Sequence, residues 1–458
     1  MCNSTDYGRL SLLCALHLLA VILFAIGFFP TQSRRLPSHQ DARAVRQLQD
    51  VIRDEKCVRN LEQVISRDVV TRLVIVMIDA WRSGFYFDTT NCKMPFLCAL
   101  QHYGQAFAFD AHVQTPTVTM PRIKAFTAGV VPSFGDVVLN FASNEISDDN
   151  IVDRLKQADF RIHFCGDDTW FRLFPNRFEN DSEGTVSFFV SDYTEVDDNV
   201  TRCMKRKWDR EGIRDWDVMI LHYLGLDHIG HSLGGGHKAL DAKLAEMDSI
   251  IKQLHFKLRK VLNESFWMVI LGDHGMTEAG GHGGSSSRET FIPLVFVDGS
   301  REYGNVSTDN AVRPTKPNIS VSSAEQIDMV PTIASLMDIG IPMKSVGVSL
   351  LPKLLGNPNL KQQNALRATI SLLQNARHFL SFSSVNNEPL LSCVERSVHM
   401  LRQYCIESKT QEENDMVVAE CTKALRSTQE IILTSQTFFN VPLIAFSVFT
   451  SFMVRFFY

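Results

Sequence analysis

The sequence predicts an α/β protein, a mostly parallel sheet flanked by helices, with an N-terminal transmembrane anchor. Three observations predict it. Short apolar, β-branched runs stop abruptly in polar residues, as buried parallel strands do. Helical patterns lie between those runs, which is the strand, helix, strand grammar of a parallel sheet. Near the N-terminus the stretch Leu10–Phe29 holds no Asp, Glu, Lys or Arg.

Composition sets the outer bounds. The chain has 458 residues, with 46 Lys+Arg against 51 Asp+Glu and a formal net charge of −5. No basic field exists to attract a phosphate backbone, so nucleic acid is excluded as a partner. Hydrophobic residues at 45% and charged residues at 21% describe a globular chain with a sizeable core, long enough for one large catalytic domain and additions to it.

Leu10–Phe29, closed by Pro30, spans about 30 Å as a helix, the thickness of a bilayer core. The apolar region of a cleaved signal peptide is only about 7–15 residues and ends at a small-residue site, so residues 1–30 are expected to be an uncleaved signal anchor. Arg9 before it and Arg34 and Arg35 after it leave the orientation open. After the anchor, five acceptor triplets, beginning at Asn180, Asn199, Asn263, Asn305 and Asn318, favour a lumenal body. Residues 31–68 are charged and amphipathic and read as a juxtamembrane stalk.

Residues 69–355 carry the α/β pattern. Leu73–Ile78 runs into Asp79, Phe160–Cys165 into Gly166-Asp167-Asp168, Val218–Leu221 into His222, and Trp267–Leu271 into Gly272-Asp273-His274. Leu240, Leu244, Met247, Ile251, Leu254 and Leu258 make one apolar helix face. Residues 356–430 have helical spacing and no chemical motif. Residues 431–455 are uncharged up to Arg455 and read either as a second transmembrane segment, broken by Gln436, Asn440 and Pro442, or as an apolar tail. Of ten cysteines, Cys2 and Cys14 lie in the leader and the other eight suffice for up to four disulfides. No Cys-x-x-Cys pair supports a zinc-ribbon or thioredoxin-type reading, and the pairing stays open.

Four segments carry chemistry: Val76-Met-Ile-Asp79-Ala-Trp-Arg, Thr115-Pro-Thr-Val-Thr119-Met-Pro-Arg, Leu226-Asp227-His228-Ile-Gly-His231, and Gly272-Asp273-His274-Gly-Met with Gly281-His282-Gly. Each alone has a plain structural reading, since an Asp after a strand caps helices and a Gly-Asp-His-Gly makes turns. Together, in this order and at strand ends, they point to a metal site. Oxygen and imidazole ligands without thiolate suit zinc in an open catalytic site, and manganese less well. Two ions are needed to use them all. His228 is either a neighbour or a group that orients a ligand. Among the threonines, Thr119 precedes the helix start set by Pro121 and is the expected nucleophile, with Thr117 the runner-up. Thr115, before Pro116, is biased to an extended backbone and points away.

These segments resemble the alkaline phosphatase superfamily, and within it the glycosylphosphatidylinositol (GPI) ethanolamine phosphate transferases. Pro116-Thr-Val-Thr-Met-Pro-Arg-Ile-Lys124, Phe189-Val-Ser-Asp-Tyr-Thr-Glu-Val196 and His222-Tyr-Leu-Gly-Leu-Asp-His-Ile-Gly-His231 most resemble the group acting on the second mannose. The resemblance runs from about Val70 to Leu351. It implies an alkaline-phosphatase-like catalytic domain in the endoplasmic reticulum lumen that moves phosphoethanolamine from phosphatidylethanolamine onto a mannose of the GPI precursor. It implies one zinc on Asp79, Thr119, Asp273 and His274, a second on Asp227, His231 and His282, and Thr119 as nucleophile. The resembling enzymes continue into a long multi-spanning region, whereas here at most one further segment follows residue 430. A short form, or a multi-spanning stabilising subunit that handles the lipid acceptor, is the corresponding expectation. Two other functions compete: a two-zinc phosphodiesterase or nucleotide pyrophosphatase, with water in place of the sugar hydroxyl, and a non-catalytic truncated subunit, against which the intact ligand residues argue.

Overall fold

The computed structural model describes residues 4–28, 52, 54–67, 70–87, 92–132, 145–186, 189–209, 215–262, 266–299, 321–355, 361–382, 387–407, 411–437 and 441–456. Eight strands form one mixed sheet: β1 (Arg72–Ile78), β2 (Ala106–His112), β3 (Ile162–Asp167), β4 (Glu183–Thr185), β5 (Val218–Tyr223), β6 (Phe266–Leu271), β7 (Phe291–Asp298) and β8 (Ser322–Glu325). Their order is β4-β3-β5-β1-β6-β7-β2-β8. β1 is central, and every one of its residues is buried because both faces of the sheet are covered.

The period of two along each strand divides the core into two layers. Leu73, Ile75 and Met77 pack with Ile220, Val269, Leu271 and Phe296 on one face, under Ile123 and Phe126 of the helix Thr119–Ala128 and Ile333 of the helix Met329–Leu336. Val74, Val76 and Ile78 pack with Met219, Leu221, Met268 and Ile270 on the other. That face is covered by the helix Ala239–Val261, whose Leu240, Leu244, Met247, Ile251, Leu254 and Leu258 are all buried.

β4, β3, β5, β1 and β6 run parallel, whereas β7 is antiparallel to both β6 and β2. The reversal has a simple cause. The chain leaves the carboxyl end of β6 into the loop 272–290 and re-enters the sheet from that same end without a crossover helix. β2, antiparallel to β7, therefore runs in the sense of β6, so the carboxyl ends of β1, β2, β5 and β6 lie together.

The helices Lys361–Phe382, Glu388–Glu407 and Gln411–Thr437 pack on one another and on the domain. Buried Asp328 accepts from the backbone of Val348 at 2.7 Å and from Gln429 Nε2 at 2.8 Å, and it pairs with Arg426. The described part of the expected stalk is likewise packed. In the helix Glu55–Arg67, Cys57, Val58 and Leu61 bury against Leu366, Ile370 and Leu401.

The expected anchor falls in a helix, Ser4–Phe28, which lies against the helix Val441–Phe456; Ser447 Oγ donates to the Ala20 carbonyl at 2.6 Å. Among the described residues no helix is long and apolar enough to cross a membrane. The range 431–455 is not one segment, because Ile431–Thr437 closes the preceding helix and Val441 opens another.

All eight cysteines of the body are paired, as Cys57–Cys405, Cys92–Cys98, Cys165–Cys203 and Cys393–Cys421, and Cys14 is free. Of the acceptor asparagines, Asn180 is exposed and Asn199 lies in the helix Glu195–Asp209. Asn263, Asn305 and Asn318 lie outside the described residues.

Candidate metal centre and nucleophile

Strand ends deliver the carboxylates. β1 hands Asp79 to the turn that follows, where Asp79 N–H still donates to the Tyr223 carbonyl at 2.9 Å, extending the ladder with β5. Ala80 then adopts φ 56°, an unfavourable left-handed backbone for an alanine, and its N–H donates to Asp273 Oδ1 at 3.0 Å. Asp273 and His274 leave β6 one strand away. Asp79, Asp273 and His274 are wholly buried, and their ligand atoms lie within 4.8 Å of one another.

Thr119 opens the helix Thr119–Ala128. Its N-cap, Val118, is extended and supplies no capping side chain, so the first-turn N–H groups and the positive end of the helix dipole stay available. Thr119 Oγ1 is 3.4 Å from Asp79 Oδ2 and 3.4 Å from His274 Nε2. Thr119 therefore converges on the first carboxylate-imidazole group.

Asp227, His231 and His282 form a second such group. Asp227 and His231 lie four apart on the helix Gly225–Leu233 and so share a face. His231 Nε2 is 3.0 Å from His282 Nε2, and Asp227 is 3.4 Å from His231 and 3.6 Å from His282. This meeting depends on two glycines. A Cβ on Gly280, at φ +85°, would overlap the Gly230 carbonyl, so the helix bearing His231 and the loop bearing His282 approach backbone to backbone.

Both histidines at the ends of this loop have their ring orientation fixed. His274 Nδ1 bonds the Gly275 carbonyl at 2.9 Å and His282 Nδ1 bonds the Thr117 carbonyl at 3.0 Å. A carbonyl only accepts, so each Nδ1 carries the proton and each Nε2 offers its lone pair to the site.

The charge distribution calls for cations. Burial, reinforced by the charges of Asp273, Asp227 and Asp167, pushes the Asp79 carboxyl well above the usual carboxylate range. Against its own burial, Asp273 is held low by the imidazoles of His274 and His222 and by N–H donors. Asp79 Oδ1, Asp273 Oδ2 and Asp227 Oδ1 are buried without a hydrogen bond among the described residues. Buried carboxylate oxygens in that state are costly unless a cation is present, and the donor set of carboxylates and imidazole Nε2 atoms fits zinc. His163, Cys165 and Cys203 also converge, but the sulfurs are joined in a disulfide and offer no thiolate.

The remaining sequence candidates fall outside the two groups. His228 is buried with Nδ1 bonding the Asp192 carbonyl at 2.6 Å. Thr117 is fully buried and committed: Oγ1 donates to the Gly284 carbonyl at 2.8 Å and accepts from Gly283 N–H at 2.9 Å. Thr115 is exposed.

Three supporting residues were not singled out by the sequence. His222 Nε2 lies 3.1 Å from Asp79 Oδ2. Arg122, one turn after Thr119, donates through Nε to Gln326 Oε1 at 3.0 Å, and Gln326 Nε2 donates to the carbonyls of Gly272 and Asp273 at 3.0 and 2.7 Å. The helix carrying Thr119 is thereby bolted to the strand end carrying Asp273. Burial lowers the Arg122 guanidinium to about 9. The one available signal for His222 was a histidine closing an apolar strand, which is costly to bury without a partner.

Residues 73–284, the stretch that builds both ligand groups, match the family described as type I phosphodiesterase / nucleotide pyrophosphatase. Curated relatives narrow it. The chain is 40% identical over 350 residues to GPI ethanolamine phosphate transferase 2 of Kluyveromyces lactis, covering 73% of this chain and 41% of that one. It is 38% identical over 355 residues to the human GPI ethanolamine phosphate transferase 2, catalytic subunit, covering 76% and 34%. It is 35% identical over 456 residues to the Saccharomyces cerevisiae GPI ethanolamine phosphate transferase 2, covering 96% and 49%. At 35–40% identity over most of its length, the chain is similar to GPI ethanolamine phosphate transferase 2 proteins. It spans half or less of the length of these relatives.

Proposed function

We propose that this chain transfers phosphoethanolamine from phosphatidylethanolamine to the second mannose of a GPI precursor through a phosphoethanolamine ester on Thr119. The observation that carries the reading is the convergence of Thr119 Oγ1, at an uncapped helix N-terminus, on Asp79 and His274. Asp79, Thr119, Asp273 and His274 would hold one zinc ion, and Asp227, His231 and His282 a second. Such ions, when bound, polarise phosphoryl oxygens and stabilise alkoxides.

The chain's own groups do the positioning. The Gln326 bridge holds the Thr119 helix against the Asp273 strand end, and the N–H groups of Thr119 and Met120 face the charge that develops on phosphorus-bound oxygen. In the first displacement the Thr119 O–P bond forms and the phosphorus–diacylglycerol bond breaks, with the Thr119 proton ending on diacylglycerol. In the second, the mannose hydroxyl attacks phosphorus, Thr119 leaves, and the mannose proton returns to it.

The expected domain organisation enters here too, with residues 69–355 as the catalytic unit, 356–430 as its helical support, and the mutually packed helices Ser4–Phe28 and Val441–Phe456 as the elements that meet the membrane. Four disulfides favour an oxidising compartment, in keeping with a lumenal domain on the endoplasmic reticulum membrane. A multi-spanning subunit would hold the acyl chains of the acceptor. The test uses the full chain in vesicles containing phosphatidylethanolamine labelled in the headgroup, with and without a GPI acceptor. Stoichiometric diacylglycerol release without acceptor and multiple turnovers with it support the reading. Free phosphoethanolamine at the same rate in both overturns it in favour of hydrolysis.

A further inference from the structure

We propose that Trp170 and His222 act as positioning residues that lock one carboxylate oxygen of Asp79, leaving the other aimed at the first metal position. The proposal rests on the reading of Asp79 as a metal ligand.

His222 is wholly buried near the end of β5, in register with Met77 of β1. Room for it comes from β3, where a Cβ on Gly166 would come within 2.6 Å of the His222 Cβ. Trp170 Nε1 is 3.2 Å from His222 Nδ1. An indole N–H only donates, so His222 Nδ1 accepts, and an imidazole with an accepting Nδ1 is neutral with its proton on Nε2. That N–H points at Asp79 Oδ2, 3.1 Å away.

The consequence for Asp79 is an asymmetry between its two oxygens. Oδ2 receives His222 and the Thr119 hydroxyl. Oδ1 has no hydrogen bond among the described residues and faces His274 Nε2 at 3.6 Å. A carboxylate anchored through one oxygen cannot turn about its bond to the β-carbon without breaking the anchor, so Oδ1 stays presented.

Trp170 is fixed in its turn by rings of Phe164, Phe174 and Phe126 at centroid distances of 5.3, 5.4 and 6.1 Å. Phe126 belongs to the Thr119 helix, so the packing that sets the tautomer of His222 is shared with the nucleophile's helix. Without Trp170 the proton is free to move to Nδ1, and the Nε2 lone pair then faces Oδ2 and repels it. A buried histidine that merely fills space has no need of a fixed tautomer.

The test combines nitrogen-15 NMR of histidine-labelled, metal-free full-length protein with zinc titration against a competing chelator. In the unmutated protein the resonance removed by His222→Gln should show protonated Nε2 and bare Nδ1. His222→Leu and Trp170→Phe should each weaken one of two zinc sites by about 10- to 100-fold, the range for groups that orient metal ligands. His222→Gln, which retains an N–H donor, should recover part of that loss. A protonated Nδ1 in the unmutated protein, or unchanged zinc affinity in His222→Leu, overturns the proposal. Asp79→Ala separates the two levels. If it too leaves zinc binding unchanged, the ligand reading of Asp79 falls and the positioning role falls with it; if it loses zinc while His222→Leu does not, only the positioning role falls.

Discussion

The imidazoles of His274 and His282 stack, with ring centroids 4.1 Å apart and planes inclined by 21°. Each belongs to a different carboxylate-imidazole group, so the two groups share a wall and form one bipartite centre. Each ring also has its own backbone carbonyl, from Gly275 and Thr117 respectively, so neither depends on the other for its tautomer.

Metal content should therefore divide by group. Purified protein is expected to hold two zinc ions per chain by elemental mass spectrometry, and Asp227→Ala to hold one. Asp227→Ala removes the only carboxylate of the second group and leaves Asp79, Asp273 and His274 intact. Two ions retained in Asp227→Ala, or none, would contradict the division.

Thr117 and Thr119 lie two residues apart and should fail in different ways. Thr117→Val removes the hydroxyl that accepts from the Gly283 N–H and donates to the Gly284 carbonyl, two part-buried hydrogen bonds of about 0.5–1.5 kcal/mol each. The loop carrying His282 should loosen, lowering thermal stability and weakening the second zinc site. Thr119, partly exposed, makes only two long side-chain hydrogen bonds among the described residues, so Thr119→Ala should leave the melting temperature and zinc content near normal while abolishing transfer. Calorimetry and zinc analysis on both variants check this; a Thr119→Ala protein as unstable as Thr117→Val would sink it.

Folding stability should fall on acidification from pH 6.5 towards 4. Burial lowers His163 to about 4, with the charge of Lys207 adding to the effect, and burial lowers His255 to about 4, with Arg259 adding to it. The unfolded chain takes up these protons near 6.5 and the folded chain only near 4. The stabilisation is fully present above pH 6.5 and is lost across that window, by up to about 3 kcal/mol per histidine. His255 packs among the rings of Phe96, Phe256 and Phe266, so an aromatic replacement is tolerable. Denaturant titrations at pH 7 and pH 4.5 should show a smaller drop for His255→Phe than for the unmutated chain; equal drops would refute the assignment to His255.

The sequence displayed the centre of the sheet well and its margins poorly. β1, β5 and β6 are mainly apolar runs that give way to Asp or His at their carboxyl ends, a pattern that burial on both faces imposes. β7, FIPLVFVD, is equally apolar, but its direction depends on where the loop 272–290 runs, which is not written in its residues. β4 and β8 have three and four residues and little burial to mark them. Within the centre, acidic residues and histidines at strand ends were legible one by one. The hydrogen bonds that orient them were not, because the partners of Asp79, Asp273 and His282 are His222, Gln326 and the carbonyl of Thr117. Those partners come from elements 143, 53 and 165 residues away in the chain. Disulfide pairing was hidden for the same reason, Cys57 and Cys405 being 348 residues apart.

The most direct test of the account is mass spectrometry of the full chain incubated with phosphatidylethanolamine and zinc in the absence of acceptor, followed by proteolysis. The peptide spanning Thr115–Arg122 should gain one phosphoethanolamine, fragmentation should place it on Thr119, and addition of a GPI acceptor should discharge it. The same peptide from Thr119→Ala should stay unmodified. Absence of the adduct from a zinc-loaded chain that still releases diacylglycerol, or its appearance on Thr117, would contradict a Thr119-linked transfer.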